Sequence, residues 1–228
     1  MNIDFSNKKI LVTGGTKGIG KSISELLVSL GGDVVSINSK DCDFEKDDIA
    51  EFLKSNIDFD DVDILINNAG INKIDYFEDI IEDDFDRIMK VNVKAPMVIS
   101  KYVIKNMVKN NWGRVVNISS VWGTKSIGQR TSYTTSKYAI KGMTKTMAIE
   151  LANKNILVNS VSPGFTNTEL TSKILSEKQK DNLIKKVPMD RMAEPSEIAN
   201  VVAFLCSDFN TYITGQDIVV DGGFLISW

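Results

Sequence analysis

Short apolar runs alternate with amphipathic stretches along most of the chain. The run from Lys9 to Val12 ends in the sequence TGGTKGIG, and apolar residues then recur at helical spacing from Ile23 to Leu30 before two glycines. We therefore predict a strand, a glycine turn and a helix. A second strand over 33–38, a helix over about 47–55 and the strand VDILINNAG continue the same alternation.

The second half of the chain repeats this pattern. A helix over about 82–91 runs into a longer one over about 95–110, and the strands GRVVNISS, ILVNSVSPGF and GQDIVVDGG are separated by helices over about 133–152 and after Pro195. Such alternation is typical of parallel sheets. The predicted fold class is α/β, a Rossmann-type doubly wound parallel sheet of six to seven strands with helices on both faces.

The length of the chain favours one domain. With 228 residues, of which 43% are hydrophobic and 25% charged, it is long enough for one well-buried core and short for two. We therefore predict a single dinucleotide-binding and catalytic domain over 1–228. The polar, lysine-rich segment 166–189 is long for a connection, and we expect it to be helical, mobile and a substrate lid.

Composition argues against several classes of partner and site. The formal net charge of −3 and the scattered lysines argue against a nucleic-acid partner. The N-terminal sequence MNIDFSNKKI lacks the apolar run of a signal peptide, and no other apolar run has membrane-spanning length, so we expect a cytoplasmic protein with no membrane partner. The absence of histidine argues against a histidine-dependent triad, and we expect no metal site. Cys42 and Cys206 are expected to be reduced thiols, with Cys206 on the buried face of a helix.

Three glycines lie at the junction of the first predicted strand and the first predicted helix. Gly14, Gly18 and Gly20 have the spacing G-x-x-x-G-x-G. Small residues at this point let a phosphate approach unpaired backbone N–H groups and the positive end of the helix dipole. A glycine turn can also serve packing alone, but its place inside a βαβ unit favours a dinucleotide-binding site.

The residues after the second strand bear on which dinucleotide binds. NAD enzymes usually place an acid there for the ribose 2′-hydroxyl, whereas this chain has the neutral and basic residues Asn38–Lys40. Lys17, in the glycine turn, adds positive charge from the other side. We therefore expect NADP(H) in preference to NAD(H), although Asp41 and Asp43 keep NAD(H) possible.

A tyrosine and a lysine offer the acid–base chemistry that histidine usually supplies. Tyr133 and Lys137 are four residues apart in a predicted helix and therefore project from one face. The ammonium group would favour phenolate and lower a pKa that is about 10 when unperturbed. Tyr133 would then donate a proton to a ketone, or accept one from an alcohol, near neutral pH. Such a pair also arises by chance, so its neighbours decide the interpretation.

Polar residues at the ends of two strands support a site beside this pair. Ser119 and Ser120 end the strand GRVVNISS, and the sequence NNAG ends the preceding strand. The ligand crevice of an open α/β sheet lies beyond the carboxyl ends of its strands, where a hydroxyl can stabilise charge on a carbonyl oxygen. Asn92 lies in a predicted helix, where a buried amide more often satisfies backbone groups than takes part in chemistry.

These motifs together resemble those of the short-chain dehydrogenase/reductase family, in its short single-domain branch. They are TGGTKGIG, NNAG, the Asn92 of VNV, NISS, Tyr133-x-x-x-Lys137, SPGFTNT and ITGQDIVVDGG. They occur in the order and near the spacings of the family and cover essentially the whole chain. The combination is far more specific than any single motif.

The resemblance implies a role for each matching residue. Tyr133 would be the general acid–base, while Lys137 would lower its pKa and bind the nicotinamide ribose. Ser120, which lies 13 residues before the tyrosine, would polarise the carbonyl, and Asn92 would hold a water that links Lys137 to solvent. The implied cofactor residues are Thr13, Gly14, Lys17, Gly18, Ile19 and Gly20 at the pyrophosphate, Asn67, Ala69 and Gly70 on the adenosine and ribose side, and Pro163, Gly164, Phe165 and Thr168 on the nicotinamide side, in addition to the candidates Asn38, Ser39 and Lys40 at the 2′-phosphate.

One region departs from the family pattern. Between the second strand and the sequence DCDF the chain has only a few residues, where the family usually has a whole crossover helix before its third strand. A parallel crossover needs about ten to twelve residues. We therefore predict that a helix is missing here, and we expect a stub in place of the third strand and an open adenine pocket. Asp43 resembles the acid that meets the adenine in the family and is a further candidate.

The resemblance favours one substrate class. Many relatives reduce 3-oxoacyl thioesters on acyl carrier protein, so the first hypothesis is NADPH-dependent reduction of such a ketone. Relatives with this activity place basic residues near the ends of the two long helices to bind the acidic carrier. Here Asn110 and Asn111 are neutral at the first place, and Lys154 is basic at the second.

Two other functions stay open at this point. Trp122, Lys125, Gln129 and Arg130 would border the substrate, and a cationic pair with an aromatic residue suits an anionic or sugar-like molecule. A dehydrogenase or reductase of a sugar, polyol or small hydroxy acid is therefore the alternative. A cofactor-binding regulator without catalysis would be expected to lose the tyrosine or the lysine. The family usually forms tetramers through its two long helices, and we expect a homotetramer or homodimer.

Overall fold

One parallel sheet organises the molecule. The computed structural model describes residues 2–46, 48–56, 61–169, 171 and 177–227. The six strands are β1 (Lys9–Thr13), β2 (Asp33–Ile37), β3 (Val62–Asn67), β4 (Gly113–Ile118), β5 (Ile156–Pro163) and β6 (Asp217–Val220). They are hydrogen-bonded in the order β2-β1-β3-β4-β5-β6, and every pairing is parallel. The predicted Rossmann-type parallel sheet is confirmed.

Helices connect successive strands and lie against the sheet. They are α1 (Gly18–Ser29), α2 (Ile49–Asn56), α3 (Glu82–Met89), α4 (Ala95–Asn110), α5 (Thr131–Leu151), α6 (Glu177–Ile184) and α7 (Pro195–Cys206). A π-turn over Lys90–Lys94 joins α3 to α4 without a break. The helix α1 buries Ile23 and Leu27, and the chain leaves it through Gly31, whose φ of +91° suits a residue without a side chain. Within the described residues, no helix is long and apolar enough to cross a membrane.

The core lies in two layers, one on each face of the sheet. Alternate strand residues point to opposite faces, so Leu11 and Leu65 pack in one layer while Ile10 and Ile64 pack in the other. The central strands are therefore apolar at nearly every position, as a sheet covered on both faces requires. Cys206 is buried with α7 in the second layer, and Cys42 is buried in the first.

The region after β2 is short, as the sequence predicts. Residues 38–46 form turns, with the Asp41 and Cys42 N–H groups both donating to the Asn38 carbonyl at 3.0 Å, and no strand is formed there. The next helix is α2, and β3 is the next strand. β2 therefore lies at the edge of the sheet, with no further strand beyond it among the described residues.

The predicted substrate lid falls partly outside the described residues. Of the segment 166–189, residues 170 and 172–176 are not among them. The described part contains α6, and Thr166 forms an isolated bridge with Ala193. The interpretation of this segment as a lid stays a prediction.

Candidate active site

The carboxyl ends of β1, β3, β4 and β5 bring four sequence motifs to one edge of the sheet. The glycine turn follows β1, the sequence NNAG ends β3 and continues past it, and Ser119 and Ser120 follow β4. Gly164 follows β5, whose last residue is Pro163. These strands are neighbours in the sheet, so one crevice collects residues that are distant in the sequence.

The glycine turn has a shape that suits a pyrophosphate. Gly14 and Gly18 have φ values of +67° and +51°, and a Cβ on Gly20 would lie 2.3 Å from the Gly14 carbonyl oxygen. Lys17 occupies the N-cap of α1, and within the described chain no side chain caps that end. The first N–H groups of the twelve-residue helix therefore stay available to an anion. A Cβ on Gly18 would meet the Thr168 methyl at 3.4 Å, so the nicotinamide-side candidate Thr168 lies against the same turn.

Two residues hold the glycine turn against the end of β3. The Thr13 hydroxyl accepts hydrogen bonds from the Asn68 and Ala69 N–H groups, each at 3.0 Å. The Asn68 side chain in turn donates to the carbonyls of Thr13 and Gly14, at 3.0 and 3.2 Å. Sequence reasoning left Asn68 out of the candidate cofactor residues. Strand alternation contains the signal, because Asn67 and Asn68 must point to opposite sides.

The side chain of Asn67 points into the protein. It is 3% exposed and donates to the Ser100 hydroxyl at 3.1 Å and to Asn117 Oδ1 at 2.8 Å. Asn117 continues the chain of hydrogen bonds to Thr144 on α5. The Asn67 amide therefore has buried partners on β4 and α4, and the placement of Asn67 on the adenosine side of a cofactor stays a prediction.

Local hydrogen bonds shape the end of β2. Asp41 accepts from both the backbone and the side-chain amide of Asn38, and Asn38 Oδ1 accepts from the Lys40 N–H at 2.9 Å. Lys40 and Ser39 are exposed. The Asp43 carboxylate accepts from the Glu45 N–H and forms an ion pair with Lys46 at 3.1 Å, contacts that lower its pKa. Asp43 therefore has partners within its own turn.

The two serines after β4 have different surroundings. The Ser119 hydroxyl is buried and donates to the Lys137 carbonyl at 3.1 Å. The Ser120 hydroxyl accepts from the Trp122 N–H at 3.2 Å and also forms a hydrogen bond with the Tyr133 phenol. The structure thus brings Ser120 to the tyrosine and turns Ser119 towards the helix backbone.

The environment of Tyr133 raises the pKa of its phenol. Desolvation is the largest cause, while the hydrogen bond with Ser120 and the positive charge of Arg130 act in the opposite direction. Lys137 Nζ lies 5.5 Å from the centre of the Tyr133 ring. The sequence-based expectation of a lowered Tyr133 pKa is therefore wrong. The pKa is raised because the effect of burial is larger than that of the Ser120 hydrogen bond and the Arg130 charge. A raised pKa keeps the phenol protonated at neutral pH, which suits a proton donor.

Lys137 is buried beside this tyrosine. It is 4% exposed, its ammonium donates to the Ile118 carbonyl at 2.9 Å, and burial lowers its pKa to about 8. A Cβ on Gly70 would lie 3.5 Å from Lys137 Nζ and 3.4 Å from Asn92 Oδ1. Gly70 therefore leaves the space in which the lysine and the asparagine approach each other.

Asn92 lies in the π-turn and has several protein partners. Its amide exchanges hydrogen bonds with both backbone groups of Ile71, at 2.8 and 2.9 Å, and donates to the Ser136 hydroxyl at 3.0 Å. These contacts join the π-turn, α5 and the segment after β3. The π-turn itself is a feature that often occurs at functional sites.

An aromatic cluster and a cation lie near Ser120 and Tyr133. Trp122, Phe165 and Phe224 contact each other edge to face, with ring centres 5.0 to 6.1 Å apart. Arg130, the N-cap residue of α5, is half-buried and interacts electrostatically with Tyr133. Among the described residues its guanidinium has no hydrogen-bond or ion-pair partner. Two further candidates lie at the carboxyl edge of the sheet. Ile19 is in the first turn of α1. Gly164 packs closely on Asp221, because a Cβ on Gly164 would lie 2.7 Å from Asp221 Cα.

A family model and curated relatives match nearly the whole chain. The model, described as enoyl-(acyl carrier protein) reductase, matches residues 17–225. The 3-oxoacyl-(acyl-carrier-protein) reductase of Aquifex aeolicus is 38% identical over 248 residues, which cover 98% of this chain and 99% of the relative. The protein of the same name from Thermotoga maritima is 35% identical over 97% of this chain and 99% of its own length.

Solved structures share the fold over its full length. A protein described as a 2-deoxy-D-gluconate 3-dehydrogenase from Agrobacterium tumefaciens, with bound NADP, has a TM-score of 0.89 and 29% identity and covers 99% of both chains. A short-chain type dehydrogenase/reductase from Mycobacterium marinum has a TM-score of 0.88 and 30% identity, with 97% of this chain and 96% of the other covered.

Proposed function

The chain belongs to the short-chain dehydrogenase/reductase family and is an oxidoreductase, and we propose that it reduces the ketone of a 3-oxoacyl thioester with NADPH. The observation that carries the proposal is the convergence of Ser120, Tyr133 and Lys137 beside a turn that fits a dinucleotide. The names of the curated relatives support the substrate class. One domain provides both the cofactor side and the substrate side of the crevice.

Each residue of the trio has a distinct task in this mechanism. The nicotinamide, when bound, supplies the hydride that reduces the carbonyl carbon. Ser120 donates a hydrogen bond to the carbonyl oxygen and stabilises the negative charge that develops there. Tyr133 donates its phenolic proton to the same oxygen, so that ketone, hydride and proton together form the alcohol. The positive charge of Lys137 stabilises the phenolate that is left.

Asn92 and the glycine turn prepare the site for this step. Asn92 is a positioning residue, because its bonds to Ile71 and Ser136 hold the segment after β3 against α5. A water near it would return a proton to Tyr133 by way of Lys137. Lys17 and Lys40 supply the positive charge that favours a 2′-phosphate and therefore NADPH over NADH.

Titration and turnover together test the proposal. The purified protein is titrated with NADPH and with NADH by intrinsic fluorescence, and turnover of an acetoacetyl thioester is then measured with the cofactor that binds more tightly. We expect tighter binding of NADPH and measurable reduction of the thioester. Binding without turnover of the thioester would contradict the substrate class, and equal affinity for both dinucleotides would contradict the cofactor preference.

A second candidate substrate is a small oxo or hydroxy acid, and Arg130 favours it. A half-buried guanidinium beside the proton donor, with no anionic partner among the described residues, is suited to bind a carboxylate with two hydrogen bonds. The Agrobacterium protein, described as acting on an acidic sugar, adds weight to this alternative.

Exchange of Arg130 separates the two substrate classes. If a carboxylate is bound there, Arg130→Gln raises KM for the acid about tenfold or more, and Arg130→Lys recovers part of the loss. For an acetoacetyl thioester, which has no carboxylate, both variants should change KM less than about threefold. Equal losses for the acid and the thioester would contradict carboxylate binding by Arg130.

The quaternary structure proposed here is a homotetramer assembled through α4 and α5. Large apolar side chains are exposed on both helices, among them Met97 at 45% and Ile149 at 82%. Exposed apolar surface of this kind is typical of protein contacts. Light scattering of the protein as it elutes from a sizing column tests the mass, and Ile149→Lys is expected to reduce it to that of a smaller assembly.

A further inference from the structure

A second lysine on α5 forms an ion pair that the proposed mechanism does not use. Lys141 lies one helical turn after Lys137, and its ammonium is 2.7 Å from the Asp217 carboxylate at the start of β6. Both side chains are largely buried, with 13% and 18% exposed. Partly buried pairs are screened less by water and salt than surface pairs, so the attraction between these two charges persists in salt.

Two hydroxyls fix the carboxylate in place. Asp217 accepts a hydrogen bond from Ser160 at 2.7 Å and from Ser162 at 2.8 and 3.0 Å. Both serines lie on β5, the strand that pairs with β6. Asp217 is thus anchored to β5, and Lys141 is anchored to Asp217.

The other side of Lys141 contacts the turn that follows Ser120. Its ammonium also donates to the Thr124 hydroxyl, and the Tyr138 hydroxyl donates to the Thr124 carbonyl at 2.5 Å. A Cβ on Gly123 would lie 3.0 Å from both the Lys137 carbonyl and Lys141 Cε, so the turn packs directly on this face of α5. The Gly123 N–H bonds to the Ser120 carbonyl at 2.8 Å, which makes Ser120 part of the same turn.

We propose that Asp217, Lys141 and Thr124 form an anchor that positions Ser120 for the carbonyl oxygen of the substrate. The chain of contacts runs from the sheet through Asp217 and Lys141 to Thr124, and from Thr124 through a tight turn to Ser120. A hydroxyl that stabilises a developing charge must be held within about half an ångström of its productive place. These three residues act through Ser120 in this proposal and are therefore positioning residues. The inference rests on the proposed role of Ser120.

A substitution at Thr124 tests the positioning of Ser120 without removing the ion pair that stabilises the fold. Lys141 and Asp217 contribute to folding as an ion pair, so their removal alters stability as well. Thr124 is exposed, and Thr124→Val keeps the shape of the side chain while removing only the hydroxyl that Lys141 reaches. Ser126→Ala is the matched control, because Ser126 lies in the same loop and its exposed hydroxyl contacts only Ile127 and Thr134 among the described residues.

The experiment combines kinetics with amide hydrogen exchange. In Thr124→Val we expect kcat for acetoacetyl thioester to fall about threefold to tenfold, while KM, the Kd of NADPH and Tm stay close to those of the wild type. Exchange of the backbone over 120–125 should become faster. Asp217→Asn should produce the same kinetic change together with a lower Tm, and Ser126→Ala should match the wild type in every measurement.

Two results overturn the anchor. The first is a rate of amide hydrogen exchange over 120–125 in Thr124→Val that equals the wild-type rate. The second is an effect of Ser126→Ala on exchange and kcat that is as large as that of Thr124→Val. Amide hydrogen exchange needs no substrate. It therefore tests the anchor even if the wild-type protein does not reduce the thioester. Failure of the wild type on the thioester counts against the proposed function, whereas wild-type exchange in Thr124→Val counts against the anchor.

Discussion

The proposed catalytic half of the crevice, around Tyr133, and its proposed adenosine half, over residues 38–46, are built by different kinds of contact. On the catalytic side, Lys137 and Asn92 are buried and bond to groups from other elements, such as the Ile118 carbonyl and Ile71. On the adenosine side, the bonds of residues 38–46 connect mostly neighbours two to four positions apart, and many of them are exposed.

This difference between buried long-range bonds and exposed local turns predicts which mutations should change kcat and which should change cofactor affinity. Buried long-range bonds set the positions of reacting groups to a fraction of an ångström, so their loss should lower kcat strongly. Exposed local turns adapt to substitution, and ions near them are screened by water and salt. Changes on the adenosine side should therefore alter cofactor affinity by modest factors and leave the chemistry intact.

The largest effect is expected on the catalytic side, from Tyr133→Phe. The change removes the transferable proton and leaves the ring in place, so kcat should fall about a thousandfold or more, within the range that general acid catalysis supplies. Steady-state kinetics measures the loss, and fluorescence titration should show NADPH binding close to that of the wild type. Wild-type turnover in this variant would remove Tyr133 from the mechanism.

Replacement of Lys137 should also abolish most of the activity, but it should make the folded protein more stable. Burial of the ammonium lowers its pKa to about 8, so the folded protein carries a desolvation cost at neutral pH. In Lys137→Met we expect kcat to fall about a hundredfold or more. The free energy of unfolding should rise by about 1–3 kcal/mol at pH 7.

The pH dependence of that stability difference has a definite sign. Between the folded pKa of about 8 and the unfolded value of 10.5, the unfolded chain binds the Lys137 proton more tightly. Wild-type stability should therefore gain from this group as the pH rises through that window, and the advantage of Lys137→Met should shrink. Urea unfolding at pH 7 and pH 9.5 tests this, and a constant difference would show that Lys137 is not desolvated in solution.

A smaller effect is expected from Asn68→Ala, at the boundary between the two halves. Its side chain bonds to the carbonyls of Thr13 and Gly14, so its removal should loosen the glycine turn. We expect the Kd of NADPH to rise about tenfold, corresponding to roughly 1.4 kcal/mol. Isothermal titration measures the affinity, and kcat at saturating NADPH should change less than threefold, as an estimate of about 0.6 kcal/mol.

The smallest effect is expected from Lys40→Asp, at the adenosine edge. The exposed lysine would lose its attraction to a 2′-phosphate, so NADPH should bind about three- to tenfold more weakly while NADH changes little. Lys154→Asp, on the exposed turn after α5, is the charge-matched control. Equal losses for NADPH and NADH would show that Lys40 does not meet the phosphate, and an effect above a hundredfold would erase the contrast between the halves.

Most of the sheet and the proximity of Ser120, Tyr133 and Lys137 could be predicted because their signals are local. Apolar runs, the glycine turn and the four-residue spacing of Tyr133 and Lys137 are readable in short windows, and the short segment after β2 is a matter of counting residues. The direction of the Tyr133 pKa could not be predicted, because it depends on burial as well as on one neighbouring charge.

The amino-acid sequence by itself determined the family, the parallel sheet and the residue types at the crevice, because propensity, periodicity and chain length act within a few residues. Only the tertiary structure decided that the Asn67 amide faces the core, that Asn68 supports the glycine turn, and that Lys141 meets Asp217 across 76 positions of sequence. Contacts of this kind depend on how strands and helices pack. A side chain acquires such a partner only when the sheet has brought distant segments together.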